Sequence, residues 1–330
     1  MNGDFAALKT HITEQGLFQP TSAFYVRRAT MAMGLVAVSI VLITTVTSFW
    51  AQMTNAVLLA FAFGQLGLFS HDLGHGQVAS KHWHKLLSSW LNITLGWNLT
   101  WWIQKHSQHH AFPNSPIYDP DMDIQFLAFS EDQARQKKGW LRFVARHQHL
   151  LFIPLLMFET WNLRCASIRY LLLQRTMKAY TELSLIAIHL ILYLAVLFIF
   201  LPPFHALAFI LVHTGLLGVY LGLIFAPNHK GMLIIEQGKS FGYFRTQVLT
   251  SRNVRGGWLV DFIYGGLNYQ IEHHLFPSMP RNRLKHAALI IERFCREKNV
   301  PYASVSVPES FRRIFGYLAH VGKAVPHHGS

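Results

Sequence analysis

Four stretches without a charged residue constrain this chain more than anything else in it. Ala29 to Trp50, Met53 to Ser70, Leu183 to Leu201 and Phe204 to Ala226 are rich in Leu, Ile, Val, Phe and Met. Each approaches or exceeds the roughly 20 apolar residues that a helix needs to cross the hydrocarbon core of a bilayer. Within each pair only two residues separate the stretches, Ala51 and Gln52, then Pro202 and Pro203. Connections that short force each pair into a hairpin, so the expectation is four transmembrane helices in two hairpins. All 29 Lys and Arg residues fall in the remaining segments, 1–28, 71–182 and 227–330. Basic residues close to the span ends set orientation. Arg27, Arg28, Arg175, Lys178 and Lys230 therefore predict that both termini and the large central segment are cytoplasmic. The fold class expected is an all-α integral membrane protein, one domain over 1–330, with a cytoplasmic helical cap.

Composition supports this and removes the alternatives. Hydrophobic residues make up 51% and charged residues 14% of the chain, against about 25% charged in a soluble domain. That surplus excludes disorder, and two cysteines, Cys165 and Cys295, exclude a disulfide scaffold. Leu86 to Ile103, dense in Trp and dotted with Asn, and Leu150 to Phe158, nine residues with Pro154 inside, are too polar or too short to span and read as interfacial. The lead before Ala29 is long and no small-residue cleavage site follows the first apolar run, so that run reads as a retained anchor.

Twenty histidines in 330 residues need a separate explanation. They group as His71-Asp-Leu-Gly-His75, His106-Ser-Gln-His109-His110 and Gln270-Ile-Glu-His273-His274, with Asn228-His229 beside them. Positions three and four apart share a helix face, so each group can aim its imidazoles one way. A lone H-x-x-x-H pair is expected by chance in a chain this rich in histidine; an H-x-x-H-H triple beside a near-copy is not. The span parity puts all four groups on one side. Eight imidazoles exceed one coordination sphere, so two metals are the economical reading, and neutral imidazole suits Fe, Zn, Cu or Ni. Asp72 and Glu272 sit inside the groups, and Asp119, Asp121 and Asp123 follow the second. Such carboxylates can accept the other ring N–H of a ligand and fix its tautomer. His82, His84, His147 and His149 read as surface or interfacial residues, and His327 and His328 as part of a polar tail. His189, His205 and His213 lie inside spans, where polar groups are functional candidates by default.

HDLGH, WWIQKHSQHHAFPNSPIYDPDMD, APNHKG and YQIEHHLFPSMPR, spread from about Ser70 to Arg283, resemble the membrane fatty acid desaturases with their three histidine boxes. Gln270 in place of the first histidine of the third box resembles the front-end subgroup, which sets a new double bond on the carboxyl side of an existing one. The resemblance implies a di-iron site at the cytoplasmic membrane face, with O2 as co-substrate. Its ligands would be His71, His75, His106, His109, His110, His229, His273 and His274. Asn228 would stand beside the site, acting through water, and Gln270, Asp72 and Glu272 would support it. The substrate implied is a fatty acyl chain on a lipid, CoA or an acyl carrier protein, and Trp97, Trp101 and Trp102 are the candidate channel wall.

These 330 residues contain no HPGG haem motif, no G-x-G-x-x-G and no Cys cluster, so a separate electron donor is expected, such as ferredoxin or cytochrome b5 with its reductase. The net charge of +13 would then face anionic lipid head groups, a CoA phosphate or an acidic carrier, and not nucleic acid. The rival readings are a lipid or carotenoid hydroxylase or ketolase on the same scaffold, and a histidine-rich metal transporter.

Overall fold

A computed structural model describes residues 3–78, 81–239 and 241–326, the side chains of Lys81 and His82 excepted. His327 and His328, and the side chain of His82, lie outside the described residues. The helices in chain order are α1 (Gly3–Glu14), α2 (Ser22–Thr45), α3 (Phe49–Gly74), α4 (Lys81–Leu95), α5 (Leu99–Ala111), α6 (Glu131–Gln136), α7 (Trp140–Arg146) and α8 (Gln148–Leu156). They continue as α9 (Glu159–Gln174), α10 (Met177–Phe200), α11 (Pro203–His229), α12 (Tyr243–Leu249), α13 (Trp258–Ile263), α14 (Gln270–Leu275), α15 (Leu284–Glu297) and α16 (Val307–Lys323). Two compact units emerge. The span unit comprises Pro20–Gln104 and Pro154–Gly222, and the box unit Met1–Gln19, Lys105–Ile153 and Leu223–Ser330.

Four helices, α2, α3, α10 and α11, are long and apolar enough to cross a membrane. Their bounds differ from the charge-free stretches for physical reasons. The first turn lies at Val46–Ser48 and not at Ala51–Gln52, which belong to α3. Gln52 is buried and donates through Nε2 to the carbonyls of Leu42 (2.8 Å) and Val46 (2.6 Å), so it closes the C-terminus of α2. Asn55 donates to Ser39 O at 3.0 Å. Amides that bond a neighbouring helix's backbone are tolerated where a free polar group is not. At the other end α2 takes in Arg27 and Arg28, the latter lying over the Phe24 ring at 5.3 Å. Helix α10 starts at Met177 because Thr176 accepts from Ala179 N at 3.2 Å, an N-cap that the apolar run alone does not reveal. His71 lies inside α3, and Asn228 and His229 inside α11, so these helices carry the histidines in their last turns instead of ending before them.

The Trp-rich stretch forms two helices, α4 and α5, interrupted at Gly96, whose φ of +72° suits glycine. Neither α4, α5 nor α8 is among the candidate membrane spans.

In the box unit the core joins α1 (Leu8, Ile12), α12 (Phe244, Val248), α14 (Ile271, Leu275) and α15 (Leu284, Ala287, Ile291, Cys295). This cluster fixes α14, the helix of the third box. The all-α expectation needs one correction: Asn253–Arg255 and Ser304–Ser306 form a short parallel pair, β1 and β2, in register Val254 to Val305. Both valines are buried, and β-branched residues suit such a half-covered ladder.

Candidate metal centre

The box unit gathers six of the eight candidate ligands. His106, His109 and His110 come from the last two turns of α5, His229 from the last turn of α11, and His273 and His274 from α14. Nitrogens of His109, His229 and His274 lie within 4.8 Å of one another. His110 Nε2 stands 3.0 Å from His106 Nε2 and 3.1 Å from His273 Nε2. The rings of His110 and His274 stack at 4.2 Å, which sets the two groups side by side.

The ring orientations of the first group are fixed by their surroundings. His109 Nδ1 faces both carboxylate oxygens of Asp119 at 3.0 Å. His229 Nδ1 faces Thr250 O at 3.0 Å, and His274 Nδ1 faces Gln247 Oε1 at 2.9 Å. Each acceptor orients its ring through Nδ1, so that Nε2 is the nitrogen left to face the group. His274 Nε2 is buried without a hydrogen-bond partner. Burial and the neighbouring imidazoles hold the His274 pKa well below its usual value, so the ring stays neutral. Neutral imidazole nitrogens, pre-oriented through their other nitrogen and packed together, are what a first-row divalent metal requires.

The acids divide. Asp119 is buried and also accepts from Asn114 N at 2.8 Å, so it is held rigidly against His109. Asp121 pairs with Lys105 at 2.6 Å. Burial works to raise the Asp121 pKa, but Lys105 and His109 outweigh it and hold the carboxyl below its usual range. Asp123 is exposed. Glu272, expected to support a ligand, instead accepts from Asn253 Nδ2 at 2.7 Å and Tyr302 Oη at 2.9 Å. It ties α14 to β1, and burial pushes its pKa up to about 7.

Gln270 lies inside the group. Its Nε2 is 2.9 Å from His229 Nε2, while its Oε1 accepts from Asn228 Nδ2 at 3.1 Å. Asn228 is fixed in turn by the carbonyls of Ile224 and Leu267, and its Oδ1 is buried without a partner.

The span unit holds the first box. His71 and His75 lie one turn apart, with ring centroids at 4.7 Å. Asp72 stands 3.3 Å from His71 Nδ1. Trp102 packs edge-on against His71 at 5.3 Å and His75 at 6.2 Å. A Cβ at Gly74 would meet the Trp102 ring at 2.7 Å, so glycine is what lets this ring close on the box. Trp97 is buried, with its ring at Gly67, and Trp101 is half-buried. Trp97 and Trp102 therefore pack on α3.

The family model for fatty acid desaturases matches residues 48–306 of this chain. The chain belongs to the fatty acid desaturase family. It is 30% identical to an acyl-lipid (9-3)-desaturase of Physcomitrium patens across 97% of its own length and 63% of that protein's. A Delta(8)-fatty-acid desaturase of Euglena gracilis is 27% identical, covering 96% of this chain and 78% of the relative. A Delta(6)-fatty-acid desaturase of Caenorhabditis elegans is 28% identical, over 90% and 70%. The chain thus spans less than two thirds of the moss protein, and more of the other two. Family and apolar helices together make this desaturase-family chain a membrane-associated protein.

Four further residues hold this group in place, three of them outside the stretches that carry the family resemblance. Gln247 bridges two boxes, since its Nε2 also donates to His110 O at 2.8 Å. Asn114, at φ 56°, donates to the carbonyls of His229, Leu233 and Thr250. Thr250 contributes only its carbonyl to His229. Arg252, fully buried, donates to the carbonyls of Pro227 and Lys230 and so closes the end of α11, which carries Pro227 in its last turn. Burial pushes its pKa down to about 10.

Proposed function

We propose that this chain desaturates a fatty acyl chain in an O2-dependent, front-end reaction, with iron held by the box histidines. The observation that carries the reading is the meeting of His109, His229 and His274 with every Nδ1 already committed to an acceptor. Two iron ions, once bound, would supply the O2 reduction that removes two hydrogens: –CH2–CH2– plus O2, two electrons and two protons gives –CH=CH– plus two waters. His106, His109, His110, His229, His273 and His274 would hold them. His71 and His75 join on the family's three-box pattern, with Asp72 beside them. Asp119, Thr250 and Gln247 keep the ligand tautomers, and Asn228 and Gln270 present polar groups to the same space. Gln270 in the third box, and relatives named as Delta(8), Delta(6) and (9-3) desaturases, support the front-end assignment.

The substrate in this reading is an acyl-lipid, acyl-CoA or acyl-ACP, and Trp97, Trp101 and Trp102 line the path to the first box. The electrons come from a separate donor such as ferredoxin or cytochrome b5 with its reductase. The chain crosses the membrane four times as two hairpins, with both termini and the site cytoplasmic. The placement of all 29 basic residues outside the two short connections supports this topology.

The test is expression of the full chain with an electron donor, followed by lipid profiling and iron analysis. New double bonds, lost together with iron in His109→Ala, are expected. Hydroxylated or ketone products would move the chain to the oxygen-inserting enzymes. Full activity in His109→Ala would overturn the iron site.

A further inference from the structure

Between Gln133 and Phe158 the chain carries five basic residues, Arg135, Lys137, Lys138, Arg142 and Arg146, and no acidic one. Within this stretch, on the box unit, α7 and the start of α8 present an aromatic stripe to the outside. Trp140 is 64%, Phe143 63% and Leu150 67% exposed, at spacings of three and seven residues, with His147 between them. Phe126, 41% exposed, packs its ring against Trp140 at 5.8 Å.

The inner side of the same turns is fully used. Val144, Ala145, Gln148 and Phe152 are buried. Gln148 accepts from Ala128 N at 2.9 Å and donates to the carbonyls of Ala128 and Leu318 at 3.0 Å each. Gly322 lets α16 approach α7 closely, for a Cβ there would stand 2.8 Å from Arg146 O. These contacts lock the helix rotation, so the aromatic stripe cannot turn inward.

A large apolar stripe that packing forbids from burying itself calls for a partner. Its chemistry selects which one. Trp140 and Phe143, with Lys138 and Arg142 beside them in sequence, match the head-group layer of a bilayer, and these cations favour anionic lipid; Arg135 is instead paired with Glu131 and Asp132. Lys138 is exposed, and Arg142 is held beside the stripe by donating to Lys137 O at 3.1 Å. Four residues after Leu150 the chain enters the span unit at Pro154. We infer that the stripe formed by Phe126, Trp140, Phe143 and Leu150 is a membrane-surface contact of the box unit that immerses in the head-group layer and prefers anionic lipid.

The test uses the full chain with Cys165→Ser, since Cys295 is buried, reconstituted into phosphatidylcholine vesicles with or without phosphatidylglycerol. A nitroxide label is placed at Phe143→Cys, at Leu150→Cys, or at Glu297→Cys, an exposed site on α15. All three are surface positions, so labelling does not threaten the fold. The ratio of oxygen to aqueous nickel-chelate accessibility is expected to be severalfold higher at 143 and 150 than at 297, and to rise with phosphatidylglycerol. Nickel accessibility at 143 equal to that at 297 would overturn the inference. So would the same immersion in both vesicle types, which removes anionic lipid as the preferred partner. Label-to-label broadening that vanishes on dilution with unlabelled chain would overturn it in favour of a second copy.

Discussion

Two buried histidine clusters, one in each unit, use the same side chain for opposite ends. In the box unit His109, His229 and His274 each anchor Nδ1 and turn Nε2 toward one another. In the span unit His189 has both nitrogens engaged: Nδ1 donates to Ile93 O at 2.9 Å, and Nε2 accepts from Arg164 at 3.2 Å. His213 Nδ1 meets Tyr193 Oη at 2.8 Å. Among the described residues no third ligand-type side chain joins His189 and His213 to make a metal group. The lesson is that depth and burial do not distinguish a ligand from a brace. What separates them is company: nitrogens of His109, His229 and His274 converge, whereas among the described residues His189 and His213 gather no third ligand-type side chain.

The sharpest way to break this contrast is to remove one histidine from each cluster. In the proposed iron site, His274→Ala is expected to abolish iron binding and product, because it removes one of the proposed ligands and leaves Gln247 without its donor. His189→Ala should keep the iron content of the wild type while lowering stability by about 1–3 kcal/mol, the cost of stranding a buried donor on Arg164. Iron analysis of both purified variants, with thermal unfolding, decides it. Iron loss in His189→Ala would make the two clusters equivalent and sink the distinction.

Next in size is Asp119→Asn. The amide can still accept from His109, but it no longer offers two acceptor oxygens to His109, Asn114 and Asp121. An outer partner of this kind is worth about 10–100-fold in metal affinity, measurable by competition with a chelator. The matching change in the span unit is Gly96→Ala. At φ +72°, with a Cβ that would lie 2.2 Å from the His189 ring, it is expected to cost about 1–3 kcal/mol of stability. Iron per folded chain should not change.

How much of this was readable in advance follows the range of the interactions. The four apolar helices were legible because absence of charge is a local property. Their ends were not, because Gln52 looks like a turn residue until its bonds to Leu42 and Val46 are seen. Spacing was enough to pick out the histidine groups, since i, i+3 and i+4 are neighbours on any helix. Asp119, close in sequence to the second box, was within reach as a candidate. Gln247, Thr250 and Arg252 were not: they come from another segment, and a carbonyl such as Thr250 O carries no residue signature. Glu272 shows the reverse. Its position inside the third box suggested support for a ligand, yet it faces Asn253 and Tyr302. The strands β1 and β2 escaped because two three-residue segments far apart in sequence have no periodicity to detect.

The finest test of the contrast compares single hydrogen bonds. Gln247→Leu keeps the side-chain volume near α12 but deletes the acceptor for His274 Nδ1 and the donor to His110 O. His274 would then be free to exchange tautomers, and a fraction of the population would place its proton on the nitrogen meant for the metal. Iron affinity should fall by about tenfold, at the lower end for an outer partner. Tyr193→Phe removes the corresponding bond to His213 and should cost about 1 kcal/mol of stability with no change in affinity. If both substitutions lowered iron affinity alike, the span-unit cluster would also be orienting ligands, and its histidines would have to be counted with the metal site.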